Sequence, residues 1–210
     1  MKKMIILTIM MIVSIVSSFA ECQFPKYLFK GNFDLKNKTI VEAAYVLCND
    51  PEYSATRIGE GYGAIALEMN YGGYPCLAVV GITEKIPGKE VEMSDLAEML
   101  SLVIEYNHDG SFDKLYELYK NFQSALMRKY GKPQDVKERF NYPWSFSDPD
   151  NIKMDVLEAG EAIFSTTWTD DRDAILLSIS KSGEISIVFY NFWNISKGRD
   201  SRKIDIDAGI

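Results

Sequence analysis

Few residues in this 210-residue chain carry the side chains that nucleophilic catalysis needs, and they are scattered. Its single histidine, His108, stands beside Asp109, and together with Cys48 it supplies the residue types of a Cys–His nucleophilic pair. Nothing in the sequence brings Cys48 to His108, and the segment 107–110 (Asn-His-Asp-Gly) is typical of a solvated turn. The sequence therefore predicts no catalytic set.

A metal centre is not predicted either, although acidic residues form two clusters along the chain. The clusters comprise Asp148, Asp150, Asn151 and Asp155, and then Asp170, Asp171 and Asp173. Neither cluster has the EF-hand spacing with its central glycine and terminal glutamate, and one histidine excludes sites built on several histidines. We interpret both clusters as solvated turns and expect no cofactor. The 30 acidic residues also show no spacing that selects a pair for glycoside hydrolysis.

An aromatic loop is the most informative candidate for a binding site. Tyr142, Trp144 and Phe146 lie within residues 140–151, a segment rich in proline, serine and aspartate. Three aromatic residues in one loop indicate either that the loop packs back onto the domain or that it presents a contact surface. Tyrosine and tryptophan are favoured anchors in protein recognition, and sugar stacking is one form of such contact. The sequence leaves both interpretations open.

Residues 1–20 have the pattern of an export signal. Two lysines precede an apolar run over residues 4–16, and small residues at 18 and 20 suit cleavage before Glu21. The run is short for a bilayer core of about 30 Å, so no transmembrane segment is expected after cleavage. A lipid anchor at Cys22 is disfavoured because Glu21 occupies the position where lipidation signals have a small residue. We expect an exported protein, located in the periplasm, at the cell surface or outside the cell.

The charge of the chain excludes one class of partner. Its formal net charge is −7, and removal of residues 1–20, which contain two lysines and no acid, makes it −9. An acidic chain without a basic run is poorly suited to nucleic acid, because phosphate neutralisation supplies most of that affinity. The partner we expect is instead a protein or an envelope component.

Export would permit disulfides, and three cysteines leave one unpaired. The pair we favour is Cys48 with Cys76, one at the end of a predicted helix and the other at the start of a predicted strand. A Cys22–Cys48 pair and three unpaired thiols are the alternatives.

The element marked most clearly is a helix that begins after Ser111 and ends before Gly131. Ser111 suits the N-cap, Gly131 suits the left-handed residue after the helix, and Pro133 prevents continuation. Apolar residues recur at the i, i+3, i+4 and i+7 positions of one face. They are Phe112, Leu115, Leu118, Tyr119, Phe122, Ala125, Leu126 and Tyr130. So wide an apolar face needs a cover, for which we expect a sheet.

Strands are predicted on both sides of this helix. The predicted strands cover 60–69, 76–83, the end of 94–106, 161–169, 174–180 and 184–192, and short helices are predicted over 40–48 and 152–159. The segment 94–106 is read as a helical turn and then a strand from about Met99, with a longer helix as the alternative. Short linkers favour antiparallel hairpins.

The predicted fold class is α+β, with one or more antiparallel sheets and the long amphipathic helix packed on one face. We expect one domain over residues 21–195, with halves 37–106 and 111–193 as candidate copies of a helix-plus-meander unit, and a polar tail over 196–210.

Part of the chain resembles a known class of proteins. The run MLSLVIEYNHDGSFDKLYELYKNFQSALMRKYGKP, then Trp168 and the strands ILLSIS and ISIVFYN, resemble a module of exported bacterial proteins of unknown function. In that module a strand leads into a helix ending Lys-Tyr-Gly-x-Pro, and an antiparallel meander follows. The element order also resembles, more distantly, the architecture of β-lactamase-inhibitor-like proteins. The likeness covers about residues 99–192 and implies a fold and a compartment, not an activity.

The sequence thus favours a non-catalytic binding or accessory module of the cell envelope. The alternative is a secreted or periplasmic hydrolase whose active site the sequence does not mark. The ligand and the oligomeric state are left open.

Overall fold

The structure, a computed structural model, describes residues 34–51, 53–61, 63–83 and 91–198. Helices α1, α2 and α3 span Ile40–Asn49, Phe112–Tyr130 and Asp150–Glu158, and residues 192–198 are also helical. The strands are β1 Thr56–Gly61, β2 Ala64–Tyr71, β3 Tyr74–Gly81, β4 Met99–Ile104, β5 Asp135–Phe140, β6 Ala162–Thr169, β7 Asp173–Ile179 and β8 Ile185–Asn191. The predicted leader, Cys22 and residues 199–210 of the predicted tail lie outside the described residues.

The eight strands of the described residues form one antiparallel, unclosed sheet in the order β1-β2-β3-β4-β8-β7-β6-β5. The α+β class with an antiparallel sheet is therefore confirmed. Each half of the chain supplies four strands, β1–β4 and β5–β8, and a helix precedes each set. The halves meet where β4 pairs with β8, with Leu102 opposite Ile187.

The helix boundaries follow from capping chemistry. Thr39 and Glu42 form a reciprocal capping box at the start of α1, and the Ser111 hydroxyl accepts a hydrogen bond from the Lys114 amide at the start of α2. At the end of α2, Gly131 has a φ of +81°, and its amide donates to the Met127 carbonyl. A side chain would be strained in that conformation, which explains why the helix ends at a glycine.

The core lies on one face of the sheet. It contains the buried apolar residues of α1, α2 and α3 together with every second residue of the central strands. Successive residues of a strand point to opposite faces, so the alternation places the remaining residues of these strands on the other face. The fully buried large side chains include Trp168, Tyr119, Tyr130, Phe112, Phe164 and Phe189.

A polar network ties α2 to the edge strand β5. The Glu138 carboxylate accepts hydrogen bonds from Tyr116 Oη at 2.7 Å, Lys120 Nζ at 3.0 Å and Gln123 Nε2 at 2.7 Å. Gln123 Nε2 also donates to Thr166 Oγ1 on β6 at 2.6 Å. Because buried polar groups are costly unless paired, the network fixes the rotation of α2 over β5 and β6.

Three expectations need correction. The predicted strand over 60–69 is split in two by a turn at Gly63, with β1 ending at Gly61 and β2 beginning at Ala64. Strand β5 was not predicted, because its charges occupy both faces of an edge strand and hide the alternation. The helical turn at 94 is absent, since residues 93–95 form a non-helical turn and the strand begins at Met99.

The Glu138 network predicts a pH-dependent contribution to stability. Burial raises the pKa of the Glu138 carboxyl, but the hydrogen bonds from Tyr116, Lys120 and Gln123 outweigh burial, and the net pKa is lowered. A lowered folded-state pKa stabilises the fold above the unfolded pKa, and this stabilisation is lost as the pH falls through the folded-state value. We expect Glu138→Gln to lower the free energy of unfolding by about 1–3 kcal/mol at pH 7, and by progressively less below about pH 4.5.

Urea unfolding between pH 3 and pH 7 measures this difference. Glu117→Gln, at an exposed position of the same helix, is the matched control and should change stability little at either pH. A Glu138→Gln effect that is independent of pH would show that the carboxylate charge does not stabilise the network.

Candidate binding surfaces

The aromatic loop, residues 141–149, connects β5 to α3 and is anchored by one of its three aromatic side chains. The Phe146 ring lies 5.2 Å from Phe140, 5.9 Å from Phe164 and 5.5 Å from Tyr116, measured between ring centroids. Phe140 and Phe164 belong to the core, so Phe146 joins the loop to the end of that core while 47% of its surface stays exposed.

Hydrogen bonds fix the backbone on both sides of Tyr142. The Asn141 amide donates to the Glu161 carbonyl at 2.8 Å, and Asn141 Nδ2 donates to the Glu161 carboxylate at 3.0 Å. Beyond Tyr142, the Trp144 amide donates to the Asn141 carbonyl at 2.9 Å, and the Ser145 amide donates to Asp148 Oδ2 at 2.6 Å. The loop is therefore held in one shape by its own contacts.

The other two aromatic side chains face solvent to different degrees. Tyr142 is 97% exposed and Trp144 is 40% exposed. The two interpretations that the sequence left open thus apply to different residues, since Phe146 packs onto the domain and Tyr142 is presented outward.

A second surface, the acidic cleft, was not predicted from the sequence. It has a volume of about 620 Å³ and lies beside the start of β7 and the end of β8. Its lining residues are Asp34, Lys36, Asp171, Arg172, Asp173, Asn191, Phe192, Trp193 and Ser196. The sequence marked Asp171 and Asp173 as part of an acidic turn, but Asp34 and Trp193 come from opposite ends of the chain and only the fold brings them together.

Asp173 has the most unusual environment in this cleft. Burial raises the pKa of its carboxyl to about 6, and the neighbouring Asp170 and Asp34 add to this rise. The hydrogen bond from Asn191 Nδ2, 2.8 Å from Asp173 Oδ1, and the Arg172 charge act in the opposite direction. A carboxyl group with such a pKa exchanges its proton near neutral pH.

Trp193, the aromatic wall of the cleft, is positioned by polar contacts. Its Nε1 donates to Asn37 Oδ1 at 2.8 Å, and Lys36 Nζ and Lys197 Nζ lie 5.1 and 5.2 Å from the ring. Such distances allow cation–π attraction. The residue that follows, Asn194, is fully buried and donates to the Leu35 and Ala97 carbonyls, so it locks helix 192–198 to the segment before α1.

The predicted disulfide between Cys48 and Cys76 is wrong, because both residues are free thiols in the structure. Cys76 is buried on β3 opposite Met69 and Ile104, and Cys48 is partly buried near the end of α1. Burial, together with the charge of Glu105, raises the pKa of the Cys76 thiol to about 12 and keeps it protonated. The sequence placed each cysteine in the right type of element but held no information on the bond between them.

The acidic clusters act as turn and helix caps. Asp148 accepts from the Ser145 amide, Asp150 accepts from the Asp113 amide at 2.8 Å, and Asp170 accepts from the Arg172 amide at 2.7 Å. Among the described residues, no group of three or more histidine, cysteine or acidic side chains is placed to hold a metal ion. Cys48 and His108 share no hydrogen bond among those that the structure records.

Comparison of the chain with protein-family models, with curated proteins and with solved structures finds no match. The resemblance to exported bacterial modules therefore stays a prediction from the sequence. Within the described ranges, none of the helices combines the length and the hydropathy needed to cross a membrane.

Asp173 predicts an unusual response of stability to pH. Its carboxyl keeps a proton to about pH 6 in the folded state, whereas an unfolded aspartate loses it near 3.8. The folded state thus binds more protons in that window, and the free energy of unfolding falls as the pH rises through it. The full shift would correspond to about 3 kcal/mol, and screening at this partly exposed side chain reduces the expected effect to about 1 kcal/mol.

Asp173→Asn should therefore raise the free energy of unfolding at pH 7 by about 1 kcal/mol and leave it unchanged near pH 3.5. Thermal and urea unfolding at both pH values test this, with the exposed Asp171→Asn as the control. A variant that is less stable than the parent at pH 7 would show that the ionised carboxylate gains more from Asn191 than it loses by burial.

Proposed function

We propose that this chain is an exported, non-catalytic binding module that recognises a protein or an envelope component through its aromatic loop. The observation that carries this proposal is the position of Tyr142, which is 97% exposed on a loop fixed on both sides by hydrogen bonds. The leader-like pattern of residues 1–20 supports export.

A loop that is ordered before it binds has an energetic advantage over a flexible one. A flexible segment loses side-chain and backbone freedom when it binds, and this loss reduces the affinity. Asn141, Ser145 and Phe146 already hold the aromatic loop, so little further ordering is needed. Tyrosine and tryptophan supply large contact areas with few rotatable bonds, and they dominate the binding energy of many interfaces. Tyr142 and Trp144 have these properties.

The test is a capture experiment with a matched control. The protein produced from the full chain is immobilised and exposed to envelope and secreted fractions of the source cell, and the bound partner is identified and its affinity measured. We expect the double variant Tyr142→Ala/Trp144→Ala to weaken binding at least tenfold while thermal unfolding stays close to that of the parent. Val41→Ala/Tyr45→Ala removes two exposed side chains from α1 and should not affect binding.

A partner that binds the parent and the loop variant equally well would exclude the aromatic loop as the recognition surface. Equal loss in both double variants would indicate a general dependence on exposed apolar side chains.

A second candidate function is a hydrolase centred on the acidic cleft. The observation that favours it is Asp173, whose pKa of about 6 suits a general acid or base at neutral pH, with Asp34 and Asp171 lining the same cleft. Two carboxyl groups in one cleft are the minimum that acid–base hydrolysis of a glycoside requires.

This candidate is tested with chromogenic glycoside, ester and peptide substrates. A hydrolase of this kind should show a rate that depends on a group titrating near pH 6 and should lose at least a hundredfold in kcat in Asp173→Asn. The exposed Glu117→Gln variant should retain the rate. No turnover of any substrate, or turnover that Asp173→Asn leaves intact, would exclude Asp173 as a catalytic residue.

A further inference from the structure

The sheet has one face that no described helix covers. The helices share a core with one set of alternating strand residues, and most of the other set is at least partly exposed. We call this second set on the inner strands the open face. It comprises Ala64, Ala66, Glu68, Asn70, Pro75, Leu77, Val79, Gly81, Met99, Ser101, Val103, Ile163, Ser165, Thr167, Thr169, Ala174, Leu176, Ser178, Ser186, Val188 and Tyr190. Glu68 is its only charged member.

The strand register arranges this face in rows that run across the sheet. One row connects Ala66 on β2 with Val79, Ser101, Val188, Leu176 and Thr167, and ends at Asp135 on β5. A parallel row connects Glu68 on β2 with Leu77, Val103, Ser186, Ser178 and Ser165, and ends at Lys137 on β5. The side chains between the ends are small or aliphatic, so a second sheet with the same twist can approach closely.

The open face, together with the same side of the edge strands β1 and β5, has the area that a stable dimer needs. These eight strands, about 4.8 Å apart, give a width of about 38 Å, and six residues at about 3.3 Å give a length of about 20 Å. The footprint is therefore about 760 Å², close to the roughly 800 Å² per partner of a standard protein interface.

The charges of Glu68 and Lys137 favour a second copy of this chain as the partner and set its orientation. The Glu68–Lys137 row is negative at one end and positive at the other. A two-fold axis parallel to the strands places the β2 end of one copy over the β5–β6 end of its partner, so Glu68 approaches Lys137 of the other copy at both ends. Glu105 and Glu184 lie beyond the strand ends, at the exposed rim, where water and salt screen their repulsion.

We propose that the open face is an interface on which two copies of this chain pack sheet against sheet. The contact is isologous, with Val188 and its row near the centre and the two Glu68–Lys137 pairs at the edges. Face-to-face sheets pack about 10 Å apart at about −30°, a distance that aliphatic side chains fill and that glutamate and lysine can span. In the separate chain, Lys137 Nζ lies 2.9 Å from Asp135 on the same face, so it is already held above the sheet.

Sedimentation equilibrium on the protein produced from the full chain tests the proposal. We expect the mass of two chains at tens of micromolar, and the mass of one chain for Val188→Lys, which places a charge at the centre of the contact. Val136→Lys, on β5 but on the opposite face of that strand, is the matched control and should remain dimeric. A single-chain mass for the parent, or a dimer that Val188→Lys leaves intact, would overturn the proposal.

Exchanging the charges of Glu68 and Lys137 provides a second measurement, so the test does not depend on Val188→Lys alone. Glu68→Lys and Lys137→Glu should each weaken the dimer about tenfold, and the double variant should recover most of the loss, because it restores opposite charges with their positions exchanged. Circular dichroism confirms that each variant is folded. A double variant as weak as the sum of the single variants would overturn the proposed orientation.

Discussion

The structure depends on the pairing of β4 with β8. These strands are separated by about eighty residues of sequence, and their contact converts two four-stranded units into one sheet. On the core side, the register sets Leu100 opposite Phe189 and Leu102 opposite Ile187, and all four side chains are fully buried. Closing so long a loop costs conformational entropy, which these apolar contacts and the ladder of hydrogen bonds offset. Without this contact, β4 and β8 would both be exposed edges of small sheets.

Within this sheet, the position of α2 determines the position of the aromatic loop. The Glu138 network fixes α2 over β5, and Lys153 on α3, which is buried, pairs with Asp113 at the start of α2 and lies 5.3 Å from the Phe112 ring. A buried ammonium group needs such partners, because removing a charge from water is costly. The loop begins at β5 and ends at α3, and both of these elements are attached to α2. Tyr142 is therefore exposed on a braced loop and not on a loose segment.

The sequence predicted the elements whose signals are local. Ser111 and Gly131 set the ends of α2, Thr39 set the start of α1, and alternation located β6, β7 and β8 to within two residues. These signals are local because a cap or a two-residue period involves only neighbours in the chain. Strand β5 was missed because its local signal is weak: Lys137, Glu138 and Arg139 place charges on both faces of the strand, so no apolar–polar alternation is visible.

The remaining features depend on contacts between distant segments, which one sequence does not encode in a readable way. The strand order, the free state of Cys48 and Cys76, and the acidic cleft are of this kind. For the aromatic loop, the sequence left open which of Tyr142, Trp144 and Phe146 packs onto the domain and which faces solvent. This difference arises because Phe140, Phe164 and Tyr116 leave room for one more ring, and Phe146 takes it.

The two surfaces proposed to make contacts lie on different sides of the sheet, which has a consequence for affinity. Phe146 attaches the aromatic loop to the core side, where the helices pack, whereas the open face is on the other side. Two copies joined through their open faces would therefore leave both aromatic loops on the outer sides of the pair, with Tyr142 in solvent. A partner that is itself repeated, such as an envelope polymer or a clustered protein, would then be bound at two points. Linking two sites in this way can raise the overall affinity by about 10²–10⁴ without any new contact, so a weak single-loop interaction would suffice for retention at a surface.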